Sequence, residues 1–452
     1  MKNLPKVSRL LFCGLLFMLL STTSSWAQDK TFTLAQAIDY ALQNKGAVQN
    51  AKVDIEIAKA RVGEVRAIGL PQVSAGVDYS NNLAIQRVFL PAAFLGDPTP
   101  GAVVAVPFGT KHSNSIALNG SQLLFDGSYL LGLKAAQVYT QLSEKALKQT
   151  EIQVADAVTR AYYSILITDA RAALVDQNLI RLDSMLRETR ILNKNGFVEK
   201  IDVDRLSVTR NNLQSERDKL RSLQELGVNL LKFQMGMPQT QPITLAGSIQ
   251  EVIVASEHQT ATSDYANRIE YSLLNTNQEL ATLNLRNSKA GYYPRLVLTG
   301  RYGGNTASDD FGDMFDKNSY FQFAGIGLGL QIPVFDGFAK KYKIQQNKLA
   351  LQKIEVGRKD LEQAIDLQVV QANTSVKNAR IQLDAQEENR ELAQEVLRVA
   401  RVKYREGVGS SIEVLNAETS LKEAETNYFS ALYDLVISQV DLRLANGTLL
   451  TQ

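Results

Sequence analysis

Two acidic residues, Asp202 and Glu413, occupy equivalent places in two short motifs that lie 211 residues apart. Each stands between Ile and Val, shortly after a glycine-containing turn, in the first turn of a predicted helix. A carboxylate at that position interacts favourably with the partial positive charge of the helix N-terminus. Asp126 and Asp336 stand in Phe-Asp-Gly corners before long helical stretches, where a carboxylate can cap a helix. The chemistry that these residues offer is electrostatic.

Little in the sequence could perform catalysis or hold a metal. His112 and His258 are the two histidines, and no cysteine follows Cys13, so no Cys/His ligand cluster is predicted. The segment "GIGLG" at 325–329 lacks the spacing of a dinucleotide fingerprint, and neither a phosphate loop nor a nucleophile elbow occurs. A formal net charge of +2 gives no reason to expect nucleic acid as a partner. We predict a protein that is not an enzyme and that needs no cofactor or metal.

The first 27 residues predict a secretory signal peptide. Lys2, Lys6 and Arg9 precede an apolar run over 10–20, and small residues surround the expected cleavage position at Ala27. The apolar run is too short to cross a bilayer as a helix. An exported chain without cysteine in its mature part favours a bacterial envelope over a disulfide-stapled secreted domain.

The rest of the chain contains two copies of one unit. The matched motifs are "GLPQVSAGVDYS" (69–80) with "YYPRLVLTGRYG" (292–303), the corners Phe125-Asp126-Gly127 and Phe335-Asp336-Gly337, and "NGFVEKIDVDRL" (195–206) with "EGVGSSIEVLNA" (406–417). Each unit has the order helix, strand pair, very long helix, tight turn, helix. We predict a first repeat over 28–236, a linker or equatorial belt over 237–263, a second repeat over 264–447 and a tail over 448–452.

Each repeat contains a long stretch without helix breakers. No proline occurs between Gly127 and Gly196 or between Phe338 and Glu406, and about 65 helical residues give a rod of roughly 100 Å. In the second rod, apolar residues follow the 4-4-3-4-3-4 spacing of a coiled-coil seam. These residues are Leu361, Ile365, Val369, Ala372, Val376, Ala379 and Leu383. Polar residues cover the other faces, so we expect the rods to stand in water. A shorter single helix is predicted over 33–68.

Four segments alternate apolar residues with polar residues or glycine, as strands with one apolar face do. The pattern is clear at 72–80, 295–302 and 324–334, and weaker at 116–124, where Gly120 and Gln122 interrupt it. About 9–11 residues of tilted strand cross a bilayer, and an apolar outer face is typical of a membrane barrel. A soluble sandwich, with apolar faces packed together, is the alternative, but four strands leave little for a second layer.

If the strands lie in a membrane, their number requires more than one chain. Four strands cannot close a barrel, since about eight are needed. An open sheet edge in lipid would leave unpaired amide groups that cost several kcal/mol each. We therefore predict that identical copies complete the sheet in a symmetric oligomer.

The doubled unit, the two Phe-Asp-Gly corners and the turn "YREGVGSSIEVLNAE" (404–418) resemble the TolC-type outer-membrane efflux protein family over essentially the whole mature chain. The resemblance implies a tandem-repeat protomer of mixed α and membrane β structure. Three protomers would form a 12-stranded β-barrel in the lipid of the bacterial outer membrane, continuous with a long periplasmic α-helical coiled-coil barrel. It also implies a function as the exit duct of a tripartite efflux or secretion system. Small molecules or proteins would pass through it, with a periplasmic adaptor protein and an inner-membrane transporter as partners.

The resemblance also assigns roles to the turns at the ends of the rods. The implied periplasmic aperture comprises Asp202, Tyr404, Glu413 and Asn416, the last in place of a family acid. The implied helix-tip turns, which would contact the adaptor, contain Asn195, Gly196, Gly407 and Gly409. The family's arginine latch falls on Gly409, so that link is absent or made differently. At Lys45-Gly46 the family often has Asn-Pro, and we expect only a local change there.

A soluble periplasmic coiled-coil adaptor or scaffold is the alternative function. An adaptor would carry one long helical hairpin inserted into small β-domains, whereas this chain has two hairpins separated by strand pairs. The loops 87–112 and 305–319 join strands at the ends away from the rods, so we expect both to face the exterior. For the longer and more apolar loop we favour a plain structural cover over the alternatives, which are folding over the mouth or contacting another surface partner.

Overall fold

The computed structural model describes residues 30–96, 99–247 and 264–450. The predicted signal peptide and the apolar residues 252–254 of the predicted belt lie outside these residues. Two compact units are present. The first comprises Met1–Gln49, Thr150–Asn267 and Ile365–Gln452, and the second Asn50–Gln149 and Arg268–Ala364. Each unit contains segments from both halves of the sequence, which differs from the division by repeat.

Helices dominate the described residues. They are α1 Leu34–Asn44, α2 Gly46–Ala67, α3 Gly127–Lys194, α4 Lys200–Met235, α5 Ile269–Ala290, α6 Ala339–Arg405 and α7 Ser411–Ala445. Helices α3 and α6 contain 68 and 67 residues and confirm the two predicted rods. Every predicted seam position of α6 is buried or half-buried, which confirms the coiled-coil spacing. None of the helices in the described residues combines the length and the apolarity that crossing a membrane requires.

The second unit contains one four-stranded antiparallel sheet, ordered β2-β5-β7-β8. Its strands are β2 Gln72–Asn81, β5 His112–Phe125, β7 Arg295–Ser308 and β8 Phe321–Gln331. Each overlaps one of the four predicted segments, but β8 ends at Gln331 and not at 334, and β5 begins at His112 and not at 116. Within the described residues no second sheet packs on this one, so the sandwich alternative is wrong. Strands β2 and β8 are the two edges.

The register brings the apolar residues of all four strands onto one face of the sheet. Val77 lies opposite Ile116, Leu118 opposite Tyr302, and Leu298 opposite Leu328. Cross-strand partners point to the same side of a sheet, so these pairs define a continuous apolar face. Val77 is 67% exposed and Leu328 64% exposed in the single chain. We call this surface the apolar sheet face.

Strand β5 departs from simple alternation near its end. A bulge separates Leu123, which pairs with Val297, from Phe125, which pairs with Leu296. Leu124, the last residue of the predicted strand segment 116–124, has no partner in this register. Such an extra residue bends the strand and re-aims the residues that follow it. The bulge lies immediately before the strand-to-helix corner.

The loop over 87–112 contains an additional hairpin that the sequence pattern did not predict. Strand β3 Arg87–Pro91 pairs antiparallel with β4 Val103–Pro107. A 3₁₀ turn follows β3 at Ala92–Leu95. Val88 and Phe89, neighbours on β3 whose side chains point to opposite faces, are 37% and 72% exposed. Both faces of this hairpin are therefore largely apolar.

The predicted single helix over 33–68 is wrong, because the chain breaks at Lys45. Lys45 has an extended backbone (φ −64°, ψ 125°), and its ammonium donates to the carbonyl of Phe233 at 2.7 Å. Gly236, in the left-handed region with φ +71°, packs against this break. A Cβ at Gly236 would lie 2.7 Å from the Asn44 carbonyl oxygen. Close packing at the end of α4 therefore explains the break.

The start of the described chain joins the predicted belt. Strand β1 Lys30–Phe32 pairs in parallel with β6 Ile243–Leu245. The hydroxyl of Tyr162 on α3 donates to the carbonyl of Phe32 at 3.0 Å and also contacts that of Ala246. Tyr162 is 2% exposed, so this contact ties the short sheet to the long helix. The sequence predicted a belt over 237–263 but not the pairing of its residues 243–245 with β1.

The ends of α3, α4, α6 and α7 share a core in the first unit. Its buried members are Val175, Leu179, Leu182, Met185, Leu186, Leu206, Leu213, Leu220, Leu397, Ala400, Val414, Ala417 and Leu421. On α4 they recur every seven residues, and on α7 they follow a 3-4 spacing, so each helix buries one stripe. This core supports the two turns that connect the helices.

Candidate functional site

The first turn, between α3 and α4, closes through backbone hydrogen bonds. Gly196 has φ +79°, and the amide of Phe197 donates to the carbonyl of Leu192 at 2.9 Å. This six-to-one bond after a left-handed glycine is a Schellman end. The side-chain amide of Asn193 donates to the carbonyl of Val198 at 2.8 Å, while Asn195 is exposed. The turn therefore presents a compact surface with its own hydrogen bonds satisfied.

The second turn, between α6 and α7, has the same ending and a tighter continuation. Gly407 has φ +75°, and Val408 donates to the carbonyl of Lys403 at 3.0 Å. Gly409 donates to that same carbonyl at 3.0 Å. A Cβ at Gly409 would lie 2.9 Å from Cβ of Lys403, so the turn leaves little space for a side chain there. This crowding favours glycine at position 409.

The starts of the two return helices are linked through Asp202. The hydroxyl of Ser411, the first residue of α7, donates to the carboxylate of Asp202 near the start of α4. Arg205 lies 3.7 Å from the same carboxylate oxygen, and the Asp202 side chain is 19% exposed. Asp202 therefore connects the two turns. Ser411 was not among the residues predicted from the sequence.

Glu413, the repeat equivalent of Asp202, has a different environment. Its backbone amide donates to the Oγ of Ser410, which caps α7, at 3.3 Å. Glu413 is exposed, and so is Asn416, about one turn further along α7. The structure thus leaves Glu413 and Asn416 on the surface and brings Asp202 into a contact.

Tyr404 packs on the shared core at the end of α6. Its hydroxyl lies 3.5 Å from Oγ1 of Thr189, a completely buried residue of α3. Beside it is a cavity of about 640 Å³ lined by Tyr404, Arg181, Arg401 and other residues of α3 and α6. Thr189 was missed by the sequence analysis, since a threonine inside a long helix carries no distinctive signal.

A buried polar network connects α3, α6 and α7 behind the turns. Glu418 lies 3.6 Å from Arg181 and 3.3 Å from Arg401. Arg181 also donates to Asn178, which in turn donates to Glu425 at 2.8 Å. Burial raises the pKa of Glu425, and the Asn178 hydrogen bond opposes that rise. Desolvation on burial likewise lowers the pKa of Arg401.

The sequence analysis did not single out this network. Its one available signal was Glu425, which stands directly beside the apolar spacing of Ala424 and Tyr428 on α7. Glu425 is 4% exposed, so it is a charged residue at the edge of the helix core. A buried ionic group destabilises the folded state unless a partner compensates its charge. Because the network lies behind the turns, it connects the packing of α3, α6 and α7 at the same level.

The two Phe-Asp-Gly corners differ in the structure. The carboxylate of Asp126 accepts from the amides of Ser128 and Tyr129 at 2.7 and 3.2 Å and so caps α3. Asp336 instead accepts from the amide and the ammonium of Lys340, each at 3.0 Å.

Glycine also serves a different purpose in each corner. Gly337 and the following Phe338 have φ +66° and +68°, so the second corner uses the left-handed region. Gly127 has a helical backbone, and a Cβ there would lie 2.9 Å from the ring of Tyr293. Phe125 and Phe335 are 44% and 75% exposed. The first glycine therefore permits close packing, and only the second supplies unusual backbone freedom.

The described residues hold no group of three or more His, Cys, Asp or Glu side chains arranged to bind a metal ion. The polar groups at the turns are instead arranged as hydrogen-bonded links and exposed charges. Such an arrangement can position helices and present charge to solvent.

Comparison with known proteins covers both repeats. The family profile described as "Outer membrane efflux protein" matches residues 37–226 and 267–448. "Outer membrane protein TolC" of Vibrio cholerae is 23% identical in an alignment of 449 residues that covers 96% of this chain and 94% of the relative. The VceC crystal structure from Vibrio cholerae gives a TM-score of 0.69 with 16% identity, covering 92% of this chain and 96% of that chain. Crystal structures of CusC give 0.73 with 19% identity, and 92% of each chain is covered. The structural matches show a shared fold.

Proposed function

Because this chain belongs to the outer membrane efflux protein family, we propose that three copies assemble into one closed duct that works with a periplasmic adaptor and an inner-membrane transporter. The chain is an outer membrane protein that extends into the periplasm and serves as the exit duct of an efflux system. The family is one of channels. The trimer and its two partners are our inference for this chain.

The observation that carries the proposal is the open four-stranded sheet with one apolar face. Strands β2 and β8 have unpaired outer edges in the single chain. In lipid these edges require hydrogen-bonding partners. Three copies would supply twelve strands and pair every edge. Twelve strands exceed the roughly eight that side chains alone can fill, which leaves room for a water-filled lumen.

We assign the periplasmic aperture to the ends of the return helices. Glu413 and Asn416 are exposed there, and Tyr404 would hold α6 against α3 through Thr189. Asp202 belongs to the same proposal, but its carboxylate already accepts from Ser411, so we expect a smaller effect from it.

The compact turns are assigned to the adaptor contact. Asn195 and Gly196 lie in the first turn, and Gly407 and Gly409 in the second. All four lie at helix ends that are exposed or half-buried in the single chain. The strand-to-helix corners at 125–127 and 335–337 are assigned to the passage from sheet to rod.

The test of the duct is conductance of the purified protein in planar lipid bilayers. We expect discrete conductance steps with a preference for cations, because three copies of Glu413 would concentrate negative charge around one mouth. The absence of any conductance from protein that has inserted into the bilayer would contradict the duct.

Glu413→Gln tests the aperture separately. Unit charges 4 Å apart interact by about 1 kcal/mol in water, so the cation-to-anion permeability ratio should fall by roughly fivefold. Glu423→Gln is the matched control, since Glu423 is an exposed acid on the same helix. Its ratio should equal that of the wild type. Equal selectivity in Glu413→Gln and wild type would remove Glu413 from the constriction.

A further inference from the structure

A crevice of about 710 Å³ lies between the apolar sheet face and the loop that joins β7 to β8. Its floor includes Val77, Ile116 and Tyr302, and its roof includes Met314, Phe315 and Lys317. Small-molecule sites usually have volumes of about 300–1,000 Å³. The crevice is therefore large enough for a ligand and is built mainly from apolar side chains.

Hydrogen bonds hold the roof of the crevice on the sheet. The side-chain amide of Asn114 donates to the hydroxyl of Tyr320 at 2.6 Å, and that hydroxyl donates to the carbonyl of Met314 at 2.9 Å. The hydroxyl of Ser308 donates to Asp313 at 2.6 Å. Met314 is 3% exposed, so the loop is anchored over the strands.

The apolar sheet face changes its polarity beneath this loop. Ile116 lies opposite Gly304, whereas the next pair towards the loop on the same face is Asn114 with Thr306. His112 follows on that side, opposite Ser308. An apolar band flanked by polar residues is the pattern that a strand shows where it leaves the hydrocarbon for the headgroup layer. The crevice spans this boundary.

Lys317 is the charged residue among the described side chains that line the crevice. None of the aspartates of the neighbouring loop lines the crevice, and their carboxylates accept hydrogen bonds within the loops. Asp309 accepts from the amide of Lys111 at 2.8 Å, Asp310 from that of Gly312 at 2.8 Å, and Asp316 from that of Asn318 at 3.0 Å. The crevice therefore offers one ammonium group next to an apolar floor.

We propose that this crevice binds one acyl chain of an anionic membrane lipid, with the lipid phosphate beside Lys317. The apolar floor is continuous with the exposed apolar sheet face, so a chain from the surrounding lipid can reach it without crossing polar surface. The ammonium supplies the charge complement of a phosphate. The proposal goes beyond the duct function, because it concerns the outside of the sheet and does not depend on transport.

The acyl chain is tested by native mass spectrometry of the full-length assembly purified in detergent and supplied with phosphatidylglycerol. We expect the wild type to retain the lipid through detergent exchange. Ala75→Trp places an indole in the crevice and should abolish most of this retention. Val73→Trp adds the same ring to the same face of β2 but outside the crevice lining, and it should retain lipid like the wild type. Equal retention by the two variants would overturn the proposal.

The headgroup is tested by competition between phosphatidylglycerol and phosphatidylcholine with identical acyl chains. The wild type should prefer phosphatidylglycerol, and Lys317→Gln should lower this preference by roughly fivefold. Lys111→Gln is the matched control, since Lys111 adjoins the same loop but does not line the crevice. An unchanged preference in Lys317→Gln would contradict the phosphate position. Lys317→Gln changes an exposed loop residue, so it still tests the proposal if Ala75→Trp fails to assemble.

Discussion

At the scale of single residues, equivalent positions of the two repeats have acquired different environments. Asp202 and Glu413 align in sequence, yet Asp202 accepts from Ser411 while Glu413 is exposed. The residue that corresponds to Ser411 in the first repeat is Lys200. A lysine at the start of α4 does not reproduce the short hydroxyl contact to the other carboxylate. One substitution between the repeats thus accounts for an asymmetric link between symmetric turns.

Glu425 gives a pH-dependent prediction at the same scale. Burial raises the pKa of Glu425, with Glu418 adding to the rise and Asn178, Arg181 and Arg390 opposing it. A raised pKa means that the folded state binds the proton more tightly than the unfolded state. Stability is therefore lost as the pH rises from about 4.3, the unfolded value, through the raised folded value.

Glu425→Gln should remove this loss. We expect the variant to have a higher free energy of unfolding than the wild type at neutral pH and to match it at acidic pH. Thermal unfolding followed by helical circular dichroism between pH 4 and 8 measures the difference. Glu423→Gln, at an exposed site on the same helix, should leave the wild-type profile unchanged. A Glu425→Gln profile parallel to that of the wild type would refute the prediction.

At the scale of elements, the two repeats share a glycine contact at the end of the return helix. Gly236 packs against Asn44 and Lys45, where α1 ends, and Gly447 packs against Asn267, immediately before α5. Both glycines have φ +71°. In both repeats the glycine approaches the residues just before the helix that leads into the strand pair. The close approach is therefore repeated, whereas a helix that ends at this contact, α1, is described in the first repeat alone.

Alanine substitutions at these glycines should be costly for two reasons. The left-handed backbone costs an ordinary residue about 1–2 kcal/mol, and the added Cβ would collide with backbone atoms of the neighbouring segment. We expect Gly236→Ala and Gly447→Ala each to lower the free energy of unfolding by about 3 kcal/mol.

Gly196→Ala is the matched control, because Gly196 has φ +79° with no atom within 4 Å of the added Cβ. It should cost only about 1 kcal/mol. Thermal unfolding in detergent, followed by helical circular dichroism, ranks the three variants. Equal destabilisation by all three would show that backbone strain alone, without the close packing, explains the glycines.

At the scale of the whole molecule, the single chain exposes an apolar surface that is unfavourable in water. Ile326 and Val73 on the apolar sheet face are 86% and 75% exposed, and both sheet edges are unpaired. The apolar face is favourable in lipid, but the unpaired backbone N–H and C=O groups of an edge need another strand. We therefore expect β8 of one copy to pair with β2 of the next around a closed ring.

Engineered disulfides test this pairing, since Cys13 is the one cysteine of the sequence. Val77→Cys combined with Ala324→Cys, Ile326→Cys or Leu328→Cys places thiols on the apolar sheet faces of the two edge strands. One combination should yield a covalent trimer in non-reducing electrophoresis, because directly opposite residues lie about 5 Å apart.

Val77→Cys with Ile116→Cys is the control. These residues are partners within one sheet, so their disulfide should stay inside a single chain. If none of the edge combinations links copies while the control pair oxidises normally, the ring of paired edges is wrong.

The rods, the four strands and their apolar faces could be predicted from the sequence, because each follows from a periodicity that is read locally along the chain. The number of strands then led to the prediction that further copies complete the sheet. The tertiary structure alone decided the break at Lys45, the Ser411 link to Asp202, the buried Glu425 network and the crevice under Tyr320. These features depend on which distant segments approach each other, as Asn114 and Tyr320 do across 206 positions. A local pattern carries no information about such distances, so only the packed chain could reveal them.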